Sequence, residues 1–230
     1  VTLSGDLIYI EKERPSLGVR KHCVKTLKTD GSRVTLYSTD MELEYLYSSH
    51  INGDILIGVT EVFNPFYFRI SEIAKVIRCD STGKKIQEIE FKYQDRTERL
   101  YGDPRYITEN RINGDILVSD FRKDALVVVD KSGRHRFDYR GGIFSGEKFR
   151  PRAVCTDLKG RILLLHRKDR TYRNDESCIS LLDQDGNFIS RLLEYHLDIR
   201  GFDALCVDDI NNMYFGLKNV IHVYKLSDSP

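Results

Sequence analysis

The chain has 230 residues, enough to bury a substantial core in one repeat domain or two small domains. Its 36 Lys and Arg against 35 Asp and Glu leave a formal charge of +1, so no global charge directs it to nucleic acid or membrane. No apolar run approaches the ~20 residues of a membrane helix, and the first residues lack a signal-peptide pattern, so no membrane partner is expected. Because the sequence opens at Val1, it reads as a piece of a longer protein. The five cysteines are odd in number and irregular in spacing. They read as small buried hydrophobes in a reducing compartment, which places the protein in the cytoplasm. Cys155 and Cys206 occupy matching phrases, yet no Cys-x-x-Cys or close Cys/His cluster accompanies them, and no cofactor is expected.

Turn-and-strand phrases recur along the chain. The first unit opens with Ser4-Gly5-Asp6 feeding Leu7 to Ile10, which is the second strand of a repeat. The second unit reads as strands at Glu44 to Tyr47, Asp54 to Val59, Lys75 to Cys79 and Lys85 to Phe91. Its insert, Glu61 to about Ile73, is expected to form a protruding loop or lid. The third unit is the clearest: Arg105 to Thr108, Asp115 to Asp120, Ala125 to Val129 and His135 to Tyr139. The fourth gives Ala153 to Thr156, Arg161 to Leu165, Ile179 to Leu182 and Phe188 to Leu192, with a polar insert at Lys168 to Glu176. The last unit ends on a third strand, Val220 to Lys225. Continuous β-branched runs suit strands covered on both faces, and the alternating fourth strands suit half-exposed edges.

Two phrases keep step. Ile51-Asn52-Gly53-Asp54-Ile55-Leu56-Ile57 returns as Ile112-Asn113-Gly114-Asp115-Ile116-Leu117-Val118, and the glycines Gly31, Gly83, Gly133 and Gly186 fall 52, 50 and 53 residues apart. Periods of that size mark propellers and other repeat folds. Asn-Gly and Ser-Gly turns supply the positive φ of tight hairpins, and no segment is long enough for a crossover helix. The expected fold is an all-β propeller of four-stranded antiparallel blades, at about 1–40, 41–100, 101–145, 146–197 and 198–230. That is about four and a half blades. A six-blade ring in the intact protein needs ~24 strands, and a five-blade ring with one incomplete blade stays open. A β-sandwich does not require a fifty-residue repeat, and an open solenoid needs capping units that are absent.

Pro104-Arg105-Tyr106-Ile107-Thr108-Glu109, Asn113 to Asp120 and Val127-Val128-Val129-Asp130-Lys131-Ser132-Gly133 together resemble the NHL-repeat propellers. They look like the C-terminal domains of invertebrate tripartite-motif-like proteins. Pro151 to Asp157, Leu181 to Gly186 and Leu205 to Asp209 extend the resemblance. Such proteins carry RING and B-box zinc modules and a coiled coil ahead of the propeller. The resemblance implies a non-catalytic scaffold that recruits a protein substrate or adaptor for a ubiquitin ligase. In some relatives the ligand is single-stranded or hairpin RNA. It also implies a parent protein made oligomeric by an upstream coiled coil. The aspartate closing the second strand is present as Asp120 but is Thr60 and His166 in other units, a departure from the family pattern.

No nucleophile and base can be assembled from the sequence. His166 ends a strand beside Arg167 and Lys168 and is expected to join them in binding a partner or RNA; its ordinary reading is a satisfied surface histidine. Glu109, Asp157 and Asp208 follow the inner strands. A carboxylate ring there would suit a divalent ion in a hydrolase or lyase, and the simpler role is accepting N–H bonds in the turns. Arg105 and Arg152 each follow a proline at the entrance of an inner strand, placed to brace neighbouring blades or to face a partner. Residues 121–173 hold 15 Lys and Arg against 6 Asp and Glu, while residues 174–230 hold 4 against 10. The basic stretch contains Arg122, Lys123, Arg167, Lys168 and Tyr172. It is expected to attract an acidic peptide or RNA phosphates, with Tyr172 placed to stack on bases.

Overall fold

The structure, a computed structural model, describes residues 1–13, 21–63, 70–92, 96–141, 148–169, 176–195, 204–217 and 220–226. Among these every regular element is a strand, and they form five antiparallel sheets. The first holds β1 (Leu7–Glu13), β2 (Lys21–Leu27) and β3 (Arg33–Thr39). The second holds β4 (Glu42–Ser48), β5 (Ile55–Phe63), β6 (Ile70–Cys79) and β7 (Lys85–Ile89). The third holds β8 (Pro104–Glu109), β9 (Ile116–Asp120), β10 (Ala125–Val129) and β11 (His135–Tyr139). The fourth holds β12 (Lys148–Thr156), β13 (Ile162–Asp169), β14 (Glu176–Leu182) and β15 (Phe188–Tyr195). The fifth holds β16 (Leu205–Val207), β17 (Asn212–Leu217) and β18 (Val220–Lys225). Within each sheet, strands pair with their neighbours in sequence, the meander of a propeller blade. The fold is an all-β propeller architecture of four-stranded blades, with the first and last sheets three-stranded.

Two compact units divide the chain, Val1–Ile107 and Thr108–Pro230. In the first, β4 packs against β1 and β2. Its core joins Val24, Leu43, Ile55, Ile57, Val59, Ile77 and Cys79, with Ile8, Ile10 and Leu36 packed at its margin. Gly83, at φ +89°, shows how closely these two blades approach: a Cβ there would meet the Leu36 carbonyl oxygen at 2.0 Å. Only glycine fits that turn. In the second unit, β12 packs on β9 and β10, and β16 packs on β12. Strands β9 and β10 are buried along their whole lengths, as continuous apolar runs require.

The turns explain the repeated phrases. Gly53 and Gly114 take φ of +78° and +75°. In each case the preceding asparagine accepts the N–H of Asp54 or Asp115 and donates from its side-chain amide to that residue's carboxylate. The repeated aspartates then reach across their blades, Asp54 to Arg78 at 2.7 Å and Asp115 to Arg136. Burial raises the pKa of Asp115 against the pull of Arg136. The second phrase places Asp30, Asp80, Asp130 and Asp183 as acceptors of N–H groups two or four residues ahead. These are Asx turns.

The inserts differ from expectation. The ladder of β5 and β6 continues through Glu61↔Ile73 to Phe63↔Ile70, so much of the expected loop is an extended hairpin. Only residues 64–69 of it lie outside the described residues. Likewise β13 runs to Asp169 and β14 starts at Glu176, paired through Lys168↔Glu176. A polar composition does not stop an antiparallel ladder whose backbone groups are already in register.

Candidate functional site

The basic stretch of the second unit converges on one turn, Phe121 to Asp124, between β9 and β10. Asp120 lies fully buried beneath it and accepts the N–H groups of Arg122 at 3.1 Å and Lys123 at 2.9 Å. Asp124 closes the turn at φ +50°, a left-handed conformation that aspartate tolerates. Two arginines hold it from outside. Arg150 of β12 pairs with the Asp124 carboxylate at 2.9 Å and lies 4.7 Å above the Phe121 ring. Arg140 donates to the Lys123 carbonyl. The turn therefore presents exposed Arg122 and half-buried Lys123 on a braced backbone.

The ladder brings β13 to the same place. Arg150 stands opposite Arg167, Phe149 opposite Lys168, and Pro151 opposite His166. Arg122, Lys123, Arg150 and Arg167 thus form one basic rim, with the Phe121 ring beneath Arg150. Arg152 is half-buried at the bulge between Pro151 and Val154 of β12. The side chain of Lys168 and the whole of Tyr172 lie outside the described residues. Much of the remaining positive charge is paired locally. Arg134 binds Asp130, Arg136 binds Asp115 and Asp185, Arg140 binds Asp138, and Arg161 binds Asp157.

Several expectations are corrected. His166 is not a surface histidine: it is 4% exposed. Its Nε2 lies 2.9 Å from Ser180 Oγ and 3.3 Å from Cys178 Sγ, and its ring lies 4.9 Å from that of Phe149. A histidine beside a hydroxyl and a thiol is a nucleophile-and-base arrangement, which sequence reasoning missed. The signal was available only in the ladder, where His166 pairs with Cys178. Cys178 and Ser180 are buried as well, so the cluster is a hydrogen-bonded core group. Arg105 takes a carboxylate partner from its own segment. It grips Asp103, two residues earlier, through Nε and Nη2 at 2.9–3.2 Å, with Glu44 of β4 adding attraction.

Asp157 accepts from Lys159 N–H, Arg161 N–H and the Arg161 guanidinium. Asp208 accepts from Ile210 and Asn212 N–H, the Asn212 amide and the Tyr214 hydroxyl. Both are turn acceptors. Glu109 is buried. Cys206 departs from the buried-cysteine reading: β16 turns Leu205 and Val207 inward, so Cys206 takes the opposite, exposed side. Cys155 is buried, and burial pushes its thiol well above the ordinary range. Among the described residues, no group of three or more His, Cys, Asp or Glu is placed to hold a metal ion, and no helix is long and apolar enough to cross a membrane.

No protein-family profile matches the chain, and no curated protein does. Solved structures do. The chain is similar to XC5397 of Xanthomonas campestris, described as a gluconolactonase important in glucose secondary metabolic pathways, with TM-score 0.55 and 13% identity. The match covers 89% of this chain and 67% of that one. It is similar to a chain of the nidogen/laminin complex, with TM-score 0.55, 15% identity and coverage of 96% and 89%. It is also similar to the β-propeller domain of Myceliophteria thermophila Cps50 (Swd1), with TM-score 0.55, 9% identity and coverage of 90% and 64%. At such identities the likeness shows the β-propeller fold and nothing finer.

Proposed function

We propose that this chain is a binding scaffold that recruits a protein partner through the basic rim. In the fuller reading it is the substrate-recognition part of a cytoplasmic tripartite-motif-like ubiquitin ligase, oligomeric through an upstream coiled coil. The observation that carries the binding reading is the Phe121 to Asp124 turn. Its basic residues sit on a backbone fixed by buried Asp120 and clamped by Arg150 and Arg140. A braced turn loses little conformational entropy on binding, and clustered guanidinium groups suit the carboxylates of an acidic segment. The ligase context draws on the sequence phrases alone. The propeller architecture supports a scaffold more broadly, since loops vary without harm to the blades.

RNA is the second reading, and one contact favours it: the half-buried Phe121 ring lies beside the same basic groups that would meet phosphates. A metal-dependent hydrolase draws on the likeness to a gluconolactonase. It has less support, because Asp157 and Asp208 already serve their own turns.

The test compares the wild-type chain with an Arg122→Glu/Lys123→Glu/Arg167→Glu variant. The protein-partner reading expects stoichiometric capture by the wild type, at least tenfold weaker capture by the variant, and a thermal midpoint changed by no more than a few degrees. Equal capture by both sinks the rim. Gel shift of single-stranded or hairpin RNA that weakens steeply with salt, without protein capture, moves the assignment to RNA.

A further inference from the structure

The phrase Ile-Asn-Gly-Asp-Ile-Leu occurs twice, at 51–56 and 112–117, and the binding reading gives neither copy a role. Asparagine is a chemically labile residue, and most of all when glycine follows it. Glycine has no side chain to keep its own backbone nitrogen away from the asparagine Cγ. That nitrogen attacks Cγ, a five-membered succinimide closes, and the side-chain nitrogen leaves as ammonia. Water then opens the ring to aspartate or isoaspartate, and water is the only co-reactant. Two copies with the same neighbours share the same intrinsic chemistry. Any difference between them in the folded chain comes from what surrounds each turn.

The surroundings differ. Asn52 is exposed and bonds within its own turn, accepting the Asp54 N–H at 3.0 Å and donating to the Asp54 carboxylate at 2.8 Å. The Gly53 N–H reaches the Ser49 carbonyl at 3.2 Å. Asn113 is half-buried and makes the same two bonds to Asp115. It adds a third, at 3.4 Å, to the Gln184 side chain of the fourth blade. The Gly114 N–H is held closer, 2.9 Å from the Asn110 carbonyl, and Asn110 in turn donates to the Gly160 carbonyl of the fourth blade at 2.8 Å. Arg111 extends this clamp to the Val207 carbonyl of the fifth sheet at 2.7 Å. Succinimide closure requires the asparagine side chain to rotate off its partners and the turn backbone to follow. At Asn52 that motion breaks bonds within one turn, whereas at Asn113 it also works against the neighbouring sheets.

We propose that Asn52 is a deamidation site of the folded protein and that Asn113, in the same phrase, is shielded by the fourth blade. The product acts on the second blade. Asn52 Nδ2 and Arg78 Nε both donate to Oδ2 of Asp54, and Asp54 and Arg78 are each 8% exposed. Deamidation replaces one of those donors with a second carboxylate beside Asp54 and weakens a buried ion pair through like-charge repulsion. The isoaspartyl product also routes the main chain through Cβ, which lengthens the turn. Modification therefore loosens the second blade as the protein ages and leaves the third intact. This inference is independent of the basic rim.

The test incubates the whole wild-type chain in mildly alkaline buffer and follows both asparagines by isotope-resolved peptide mass spectrometry. Asn52 should deamidate at least about tenfold faster than Asn113, the factor that one further hydrogen bond to break corresponds to. In denaturant, where the shared phrase alone remains, the two rates should converge. This comparison needs no variant to fold. Gln184→Ala should raise the Asn113 rate several-fold and leave the Asn52 rate unchanged. Asn52→Asp, which installs the charge of one product, should lower the thermal midpoint by roughly 2–4 °C. Equal rates in the folded chain, faster reaction at Asn113, or a tenfold difference that survives in denaturant overturns the proposal. An unchanged midpoint for Asn52→Asp overturns the coupling to Arg78.

Discussion

Strands β10 and β18 hold the same third place in their sheets and both carry β-branched apolar residues, in Ala-Leu-Val-Val-Val and Val-Ile-His-Val-Tyr-Lys. Every residue of β10 is buried, and Leu126 is 0% exposed, whereas Ile221 of β18 is 72% exposed. What separates them is their surroundings. β10 is paired on both sides, by β9 and β11, and is packed against β12, while among the described residues β18 pairs with β17. Apolar β-branched residues permit burial; the neighbouring strands create it. The free energy a side chain contributes should follow coverage and not residue type.

The largest expected difference follows directly. Leu126→Ala should destabilise the protein by roughly 2–5 kcal/mol, because it leaves a cavity among strands that cannot close over it. Ile221→Ala should change stability by no more than about 0.5 kcal/mol. Chemical denaturation of both variants measures this. Similar losses would mean that β18 is covered in solution and that the contrast between the two strands is wrong.

Two histidines give a second contrast of the same kind. His166 is enclosed by Phe149, Cys178 and Ser180, whereas His222 on β18 is half-buried and stacks on Phe215 at 4.9 Å. Ser180→Ala removes the oxygen 2.9 Å from His166 Nε2 and should cost about 1–2 kcal/mol through a poorly satisfied buried ring nitrogen. His222→Ala should cost less, since water replaces what the ring loses. Equal costs would show that enclosure by the blade adds nothing to the His166 hydrogen bond.

The sequence carried the repeat because its signals are local. The strands of the third blade match their expected positions to within a residue at each end, since Gly114 and Gly133 mark the turns and the apolar runs mark what lies between. The same locality explains what stayed hidden. Arg150 pairs with Asp124 and lies over Phe121, a choice that cannot be read before strand register is known. The Ser180 partner of His166 lies on the next strand, fourteen residues on. The polar inserts read as loops because composition reports solvent contact, while the ladder through Phe63↔Ile70 depends on backbone pairing.

The smallest expected effect lies where the two third strands end. β10 runs into Asp130, whose carboxylate organises the turn to β11, whereas β18 runs into Leu226, which has no carboxylate to offer. Partial burial works against the charge on Asp130. Hydrogen bonds from the Ser132 hydroxyl, the N–H groups of Arg134 and Ser132 and the Arg134 guanidinium outweigh it and pull the pKa to about 2. A depressed carboxylate pKa stabilises the fold fully above the unfolded value near 4, and that stabilisation is lost as pH falls from there through about 2. Asp130→Asn should therefore lower stability at pH 7 by on the order of 1 kcal/mol, given the solvent around the turn. Between pH 4 and pH 2 the gap between wild type and variant should shrink. Thermal melts of the two proteins across that range measure it, and a gap that stays constant would show that the turn is held by its backbone geometry and not by the charge of Asp130.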